Sequence, residues 1–505
     1  MLSKRVGELI DEEHISAFDG AEPTVLPHPS LAELRDLSAS LPLRVAAVRD
    51  AGRIVALAVC CVEAVRVHGI HLRAYRMFGA TMHDYTRIYA RDGSALRGLL
   101  DTIRRDARAC CADAVCLNNV LVPNGADALP VGKTTTDKTA LFLARNDAKG
   151  WKGISTKKSV RRHWNNAEKL PGFRVEHMER ALTREAVEQL AAMHRERWQF
   201  EGAHSVFERP GRIDEYLTHP TNKLLTRVWI GDEIICCHYG MLYGDTLLWH
   251  TPLINIKYLD YSPLEILLAA TTQYAQRTNL TTLDFGLGEE GYKARFGNAV
   301  RTSYLLLLPL TPKGFLAHTI RRTGLHRAAK QALSRLRPVA SRAKASLMAK
   351  RAAVVWFELD CIGNAATLSP PLQLALIDSY EDFIDFSRVH GIETRRYQYE
   401  RFKTGSIFAA LHKGTSALSH GWLTQEDPFF LREIQRAIPT RGMRMIYDAF
   451  TPPQHRHKGY YTTLLQALIR AFSGERLSIF AAATNKPSLS VIRRVGFIET
   501  AVYRG

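Results

Sequence analysis

The stretch Met443-Arg444-Met445-Ile446-Tyr447-Asp448-Ala449-Phe450-Thr451-Pro452-Pro453-Gln454-His455-Arg456-His457-Lys458-Gly459-Tyr460-Tyr461 passes from an apolar, β-prone run through a basic loop into a helical pattern over Thr462–Phe472. Apolar residues at 464, 465, 468 and 469 form one stripe on that helix. A strand, a basic glycine-containing loop and a helix N-terminus together make an anion cradle. The first-turn N–H groups lack intrahelical partners, and the helix dipole favours negative charge. Gly459 allows the backbone to approach a phosphate closely, and Arg456 and Lys458 add positive charge.

Working outward, the same order of elements occurs three times: an antiparallel meander, a helix, then a further strand. The first copy reads Leu43–Arg49, Ile54–Val67 and Ile70–Phe78 with turns at Gly52 and Gly69, then a helix over Ala95–Cys110 and a strand over Ala114–Asn119. The second follows a helix at Arg184–Phe200. It reads Leu224–Ile230, Ile234–Tyr243 and Thr246–Thr251, a helix over Pro263–Arg277, and Thr281–Phe285. Proline suits the first turn of that helix, where its missing N–H costs nothing. The third reads helix Tyr380–Val389, strands Ser406–Leu411, Ala417–Leu423 and Met443–Phe450, helix Thr462–Phe472, strand Leu477–Ala483 and a last helix, Pro487–Val495.

The 505 residues suffice for several domains, and 46% apolar with 23% charged residues excludes wholesale disorder. The formal net charge is +18, which favours anionic partners. Lys313–Arg351 holds eleven Lys or Arg and no Asp or Glu, so most of the excess sits in one segment and the rest of the chain is only mildly basic. Its composition favours a helical linker interrupted at Pro338. An anionic membrane surface is the partner it would suit if it is more than a solvated connector. Eight cysteines, six of them in adjacent pairs, show no metal-ligand spacing and read as reduced, mostly buried thiols. No metal is expected. The N-terminus lacks a signal-peptide core, and no apolar run approaches bilayer length, so a cytoplasmic protein without a transmembrane segment is expected.

The C-terminal residues resemble the GNAT acetyltransferase family over about Tyr380–Tyr503. Arg456 and Gly459 match the family's donor loop, Asn485-Lys486-Pro487-Ser488 its Asn-containing segment, and Gly496-Phe497 its ending. Tyr461 departs from the usual small residue of the loop. The resemblance implies that Arg456, His457, Lys458, Gly459, Tyr461 and Asn485 bind acetyl-CoA or another acyl-CoA as co-substrate. It also implies direct attack of an acceptor on the thioester. The position of the family's tyrosine acid is Ile492 here, which leaves Tyr460, Tyr461 or solvent for that role. Tyr447, Asp448 and His420 lie on the strands nearest the loop as candidate bases, although a lone strand histidine is more often structural.

A second group of residues lies in the centre. A basic amphipathic helix is expected at 154–169 and contains Arg161 and Arg162; Tyr261-Ser262-Pro263 opens a helix; and Asp284-Phe285-Gly286-Leu287-Gly288-Glu289-Glu290-Gly291-Tyr292-Lys293-Ala294-Arg295-Phe296-Gly297 follows a strand. These elements resemble the CelD/BcsL-type cellulose-biosynthesis acetyltransferases, relatives of the FemAB aminoacyltransferases, over about residues 1–310. Leu264 departs from the glycine usual after the proline. Lys293 and Arg295, with Tyr292, Arg161 and Arg162, are candidates to grip a phosphate or carboxylate, and Glu290 and Asp284 to orient or deprotonate an acceptor. The competing structural reading is an internal salt-bridged turn beside a solvated helix face.

The expected fold is α/β in the α+β sense: tandem GNAT-like modules, each a mixed, mostly antiparallel sheet flanked by helices. The expected divisions are 1–150, 151–312, a linker 313–351, and 352–505. The expected function is acyl-CoA-dependent transfer to an amine or hydroxyl of a small-molecule or saccharide acceptor, such as a cell-envelope polysaccharide precursor. The alternatives are Fem-type transfer from aminoacyl-tRNA, ranked lower because no sustained heptads are present, and a non-catalytic acyl-CoA-binding module docked through its basic linker.

Overall fold

The computed structural model describes residues 43–67, 69–77, 86–121, 135–146, 152–218, 222–243, 245–288, 290–322, 352–360, 368–369 and 371–504. The chain forms two compact units, Met1–Arg197 with Ser205–Lys330, and Trp198–His204 with Gln331–Gly505.

In the first unit, β1 (Arg44–Asp50), β2 (Arg53–Val67) and β3 (Ile70–Met77) form the expected meander. Two short strands follow, β4 (Thr86–Arg87) and β5 (Tyr89–Ala90), then helix Gly93–Ala109 and β6 (Ala114–Leu121). Asp92 starts that helix by accepting from the backbone N–H of Ser94 and Ala95. After β7 (Thr135–Arg145) and β8 (Arg174–Glu179) comes the second meander, β9 (Lys223–Ile230), β10 (Glu233–Tyr243) and β11 (Thr246–Ile254). Helix Pro263–Arg277 leads to β12 (Thr282–Asp284), and β13 (Ala299–Pro309) closes the unit.

These strands make one sheet, ordered β1-β2-β3-β6-β13-β7-β12-β11-β10-β9-β8, with β4 on β6 and β5 on β2. The first two expected modules are therefore not separate bodies. β13, which follows the second module in sequence, pairs antiparallel with β6 of the first and with β7. One core packs helix Gly93–Ala109 against the first meander through Leu96, Leu99 and Ile103. Another packs helix Pro263–Arg277 against the second through Ile266, Leu267 and Tyr274, with Trp249 and Phe285. On the opposite face, helix Arg184–Phe200 covers the second meander through Val187, Leu190 and Ala191.

The second unit has β14 (Ala353–Asp360), β15 (Gln373–Ile377), β16 (Ile407–Lys413), β17 (Ser416–Thr424), a small hairpin of β18 (Phe429–Leu431) and β19 (Arg436–Ile438), β20 (Arg444–Phe450), β21 (Arg476–Ala482) and β22 (Ile498–Arg504). The main sheet runs β15-β16-β17-β20-β21-β14-β22. Helices Tyr460–Ala471 and Lys486–Arg494 cover one face through Leu464, Leu465, Leu468 and Ile492. The other face meets helix Tyr380–His390 through Phe383, whose ring contacts Phe408 and Trp422.

The repeated order is thus present three times, as β1-β2-β3-helix-β6, β9-β10-β11-helix-β12 and β16-β17-β20-helix-β21. The expected linker departs from its boundary: Pro312–Arg322 is a helix with Ala317 buried beside β3 and β13, so it belongs to the first unit. Residues 323–351, with Pro338, lie outside the described residues, as do residues 1–42 of the first expected module and Cys361. The described cysteines are free thiols, with Cys60, Cys61, Cys116, Cys236 and Cys237 buried and Cys111 exposed. No helix among the described residues is long and apolar enough to cross a membrane.

Candidate active site

Each repeat ends in a fork where two parallel strands pair over three residues. The pairs are Ala74–Arg76 with Ala114–Cys116, Thr246–Leu248 with Thr282–Asp284, and Arg444–Ile446 with Leu477–Ile479. No pairing joins the same two strands beyond the last pair, and such a parted strand end is where a further chain or a ligand can add its own hydrogen bonds.

The first fork is filled. β4 pairs parallel with β6 at Thr86–Val120 and Arg87–Leu121, beyond the last β3 pair. Below it, Asp106 is buried and accepts from Arg44 (2.6 and 2.8 Å) and from the Tyr75 hydroxyl (2.6 Å). Burial pushes the Asp106 carboxyl upward, but the hydrogen bonds from Arg44 and Tyr75 outweigh it and hold the group below its ordinary range.

The other two forks share a device absent from the described part of the first. In β11, Trp249 and His250 lie between Leu248, which pairs with Met241, and Thr251, which pairs with Tyr239. In β20, Asp448 and Ala449 lie between Tyr447, which pairs with Trp422, and Phe450, which pairs with His420. Each is a bulge with a glycine opposite, Gly240 or Gly421. Asp448 adopts a left-handed backbone, φ +46°. Glycine inside an apolar strand is the sequence sign of such a bulge and would have located both.

The central fork is enclosed by its own charges. Asp284 ends β12 at the fork, is almost fully buried, and accepts from the Gly286 N–H at 2.9 Å. Lys293 is only 4% exposed. Its ammonium donates to the Leu287 carbonyl and pairs with Glu290 at 2.9 Å. Tyr292 stands edge-on to Phe285, 6.0 Å between centroids. Arg295 pairs with Glu265 (2.8 Å) and donates to Ser159 (2.6 Å), and His163 lies 3.8 Å from the same carboxylate. Arg161 and Arg162 are exposed on helix Lys158–Ala167, Arg162 lying 3.2 Å from the His163 ring nitrogen. The expected continuous helix over 154–169 is two pieces, Lys152–Ser155 and Lys158–Ala167. The structure thus places Asp284, Glu290, Tyr292, Lys293 and Arg295 in one packed, ion-paired segment and leaves Arg161 and Arg162 exposed outside it. The helix that follows this fork begins with left-handed Ser262 and with Pro263, which has no N–H, and carries Glu265 in its first turn. Lys257, in the short 3-10 helix Ile256–Tyr261 just before it, is paired with Glu233 at 3.2 Å.

The C-terminal fork is built differently. The loop leaves Phe450 through a short helical turn, Pro453–His455, and reaches helix Tyr460–Ala471 through left-handed His457 (φ +62°) and Gly459 (φ +79°). Nothing lies within 4 Å of where a Gly459 side chain would start, so that face of the loop is open. The first turn of the helix contains no acidic residue. His457 and Lys458 are exposed, and Arg456 folds back, Nε donating to the Thr451 carbonyl at 3.1 Å with its guanidinium 5.9 Å from the Phe450 ring centre. Among the described residues no carboxylate pairs with Arg456 or Lys458. Tyr460 and Tyr461 are half-buried against the sheet core; burial pushes the Tyr461 phenol up, so it stays protonated. Asn485 caps the last helix, accepting from Ser488 N–H at 3.3 Å. Ile492 is fully buried in the core.

On the sheet face away from helix Tyr460–Ala471, Arg401 lies about equally far from the Tyr397, Trp422 and Tyr447 rings, at 4.9, 5.0 and 4.9 Å, and forms an ion pair with Asp448. The Tyr447 hydroxyl is 3.0 Å from Ser406, and burial raises its pKa. Nothing in the sequence pattern singled out Arg401. No three His, Cys, Asp or Glu side chains among the described residues are placed to hold a metal ion.

Residues 155–294 match the family described as acetyltransferase (GNAT) domain, so the central segment of the chain belongs to the GNAT superfamily. No curated protein matches the chain significantly. Solved structures similar to it include FemX, at 13% identity over 53% of this chain and 88% of that one, TM-score 0.40. L-PGS from Bacillus licheniformis is 13% identical over 62% and 96%, TM-score 0.40. A tandem GNAT protein from the clavulanic acid biosynthesis pathway is 13% identical over 61% and 95%, TM-score 0.37.

Proposed function

We propose that the protein is an acyl-CoA-dependent acyltransferase whose donor phosphates rest on the loop Thr451–Gly459 of the C-terminal unit. The observation that carries this reading is the contrast between the helix N-termini that follow the central and the C-terminal forks. The central one holds a proline, a carboxylate and a paired lysine. The C-terminal one presents first-turn N–H groups, left-handed Gly459 and cations unopposed by acid among the described residues. Arg456, His457, Lys458 and Gly459 then hold the donor phosphates, with Tyr460 and Tyr461 anchoring the helix start and Asn485 fixing the adjacent helix. In this reading Asp284, Glu290, Tyr292, Lys293 and Arg295 serve the architecture of the central lobe.

The acceptor is an amine or hydroxyl, and a cell-envelope saccharide precursor suits the resemblance of the central residues. Its lone pair attacks the thioester carbon, the C–S bond breaks, and the acceptor's proton passes to solvent or a base while coenzyme A leaves as the thiolate. Ile492 offers no acid, and a thiolate is a tolerable leaving group without one.

Calorimetry with coenzyme A tests the donor site. The parent protein binds, Gly459→Glu weakens binding at least about tenfold because a carboxylate then occupies the anion position, and an Arg161→Glu/Arg162→Glu variant binds like the parent. No binding by the parent refutes the reading. Binding of aminoacyl-tRNA with a steep salt dependence, in place of coenzyme A, would favour the Fem-type alternative.

A further inference from the structure

His420 is a residue the reaction outlined above does not use. It sits on β17 directly opposite Phe450, beside Gly421 and the bulge of Asp448 and Ala449. Its ring lies between two phenyl rings, Phe408 from β16 and Phe450 from β20, each at 5.4 Å. The pair partner Phe450 runs straight into the donor loop. Ser419 ties the same corner together, its hydroxyl 3.3 Å from the Phe450 carbonyl and 3.0 Å from the Thr451 hydroxyl. The imidazole therefore stands across β20 from the fork, beside the strand end that feeds the loop, on the face that also carries Trp422 and Tyr447.

The two ring nitrogens differ. Nδ1 is buried and has no hydrogen-bond partner, whereas Nε2 is not among the enclosed atoms. Burial between the two phenyl rings lowers the pKa to about 4, and no charged group contributes to the shift. The ring is thus neutral near pH 7 and carries one proton. On Nδ1 that proton would be a buried donor without an acceptor. On Nε2 it can reach solvent or a ligand, and Nδ1 keeps only an unfilled lone pair, the less costly of the two defects. A neutral imidazole held in this way is a poor base and a fixed donor.

We propose that His420 holds its proton on Nε2 and donates a hydrogen bond to the carbonyl oxygen of the acyl donor at the C-terminal fork. The inference rests on the reading of Thr451–Gly459 as the donor loop. It gives that site a group that stabilises negative charge on the thioester oxygen as the acceptor attacks. The proton stays on Nε2 throughout, so the bonds made and broken are those already described. A neutral donor fixed before the reaction needs no reorganisation when charge develops on the oxygen.

The test uses the full-length protein. Nitrogen-15 NMR of the imidazole at neutral pH shows the Nε2–H tautomer, titrating near pH 4. His420→Phe preserves the ring packing and lowers kcat with acyl-CoA about 10²-fold, while coenzyme A binding stays within about twofold. His420→Gln, whose amide reaches the Nε2 position, restores at least about a tenth of the parental rate. His420→Asn, whose amide falls at the Nδ1 position, behaves like His420→Phe. An Nδ1–H tautomer overturns the proposal, as does parental turnover in His420→Phe with coenzyme A binding intact. Absence of coenzyme A binding in the parent overturns the donor-loop reading instead, and with it the ligand named here.

Discussion

A Cβ placed on Gly421 would stand 3.4 Å from the Ala449 Cα across the sheet, at the near edge of ordinary van der Waals contact. Gly240 holds the equivalent place in the central repeat, where a Cβ would meet Leu247 Cδ1 at 2.7 Å and the Leu248 carbonyl at 2.9 Å. Glycine is thus what lets the central bulge press against its neighbour strand, whereas the C-terminal bulge leaves room for a methyl group. The two positions differ in slack, because Gly421 faces a margin that a small shift can provide and Gly240 faces a carbonyl that cannot move freely.

Gly240→Ala is therefore expected to destabilise the first unit by about 1–3 kcal/mol, and Gly421→Ala the second by less than about 1 kcal/mol. Urea unfolding of both variants measures the difference. Equal effects would show that the glycines do not set the bulges.

Asp106 makes stability depend on acid. Its folded pKa is depressed, so its contribution is fully present above the unfolded value, near pH 4, and is lost as pH falls through the lower folded value. Asp106→Ala leaves Arg44 and the Tyr75 hydroxyl without their shared acceptor, at a cost of about 3–5 kcal/mol. Asp106→Asn should unfold in urea with a midpoint that declines less between pH 5 and pH 2.5 than that of the parent.

Arg401 is held by three rings and one carboxylate. Arg401→Met keeps the length of the side chain and removes its charge, and should cost about 2 kcal/mol. Arg401→Lys should recover less than half, since an ammonium cannot lie flat among the rings as a guanidinium does. Thermal unfolding of the pair reads this directly; full recovery by lysine would reduce the contact to its charge.

Glu265 gathers Arg295 and His163 at the start of the central helix. Glu265→Gln should cost about 1.5–3 kcal/mol through the lost charge-assisted contacts and leave coenzyme A affinity unchanged. A large fall in that affinity would move the donor site to the central fork.

Most of the repeat order was legible because turns and helix ends have local chemistry. Gly52, Gly69, Gly231 and Gly414 mark hairpins, and each is found at positive φ between paired strands. Pro263 and Asp92 mark helix starts in the same local way. Strand partnership was not legible, since nothing within Ala299–Pro309 states that it bridges β6 and β7. The backbone of the proposed donor loop was legible, since Gly459 is found at positive φ directly before its helix. Side-chain reach was not legible: whether Lys293 faces a ligand or its own turn could not be read from the sequence, and its ammonium meets the Leu287 carbonyl and Glu290. The role of Arg401 depends on rings from three separate segments, which no local window contains.

The pairing of β13 with both β6 and β7 has a consequence for how this chain can be divided or inherited. A break between residues 146 and 152 would leave the first fragment with two strand edges meant for β13, and the second fragment with β13 and no neighbours for it. Neither piece is a self-sufficient half, and each would expose an edge suited to aggregation. The first two repeats are therefore expected to be gained, lost or transplanted together. The third has a seven-stranded sheet of its own that shares no strand with theirs.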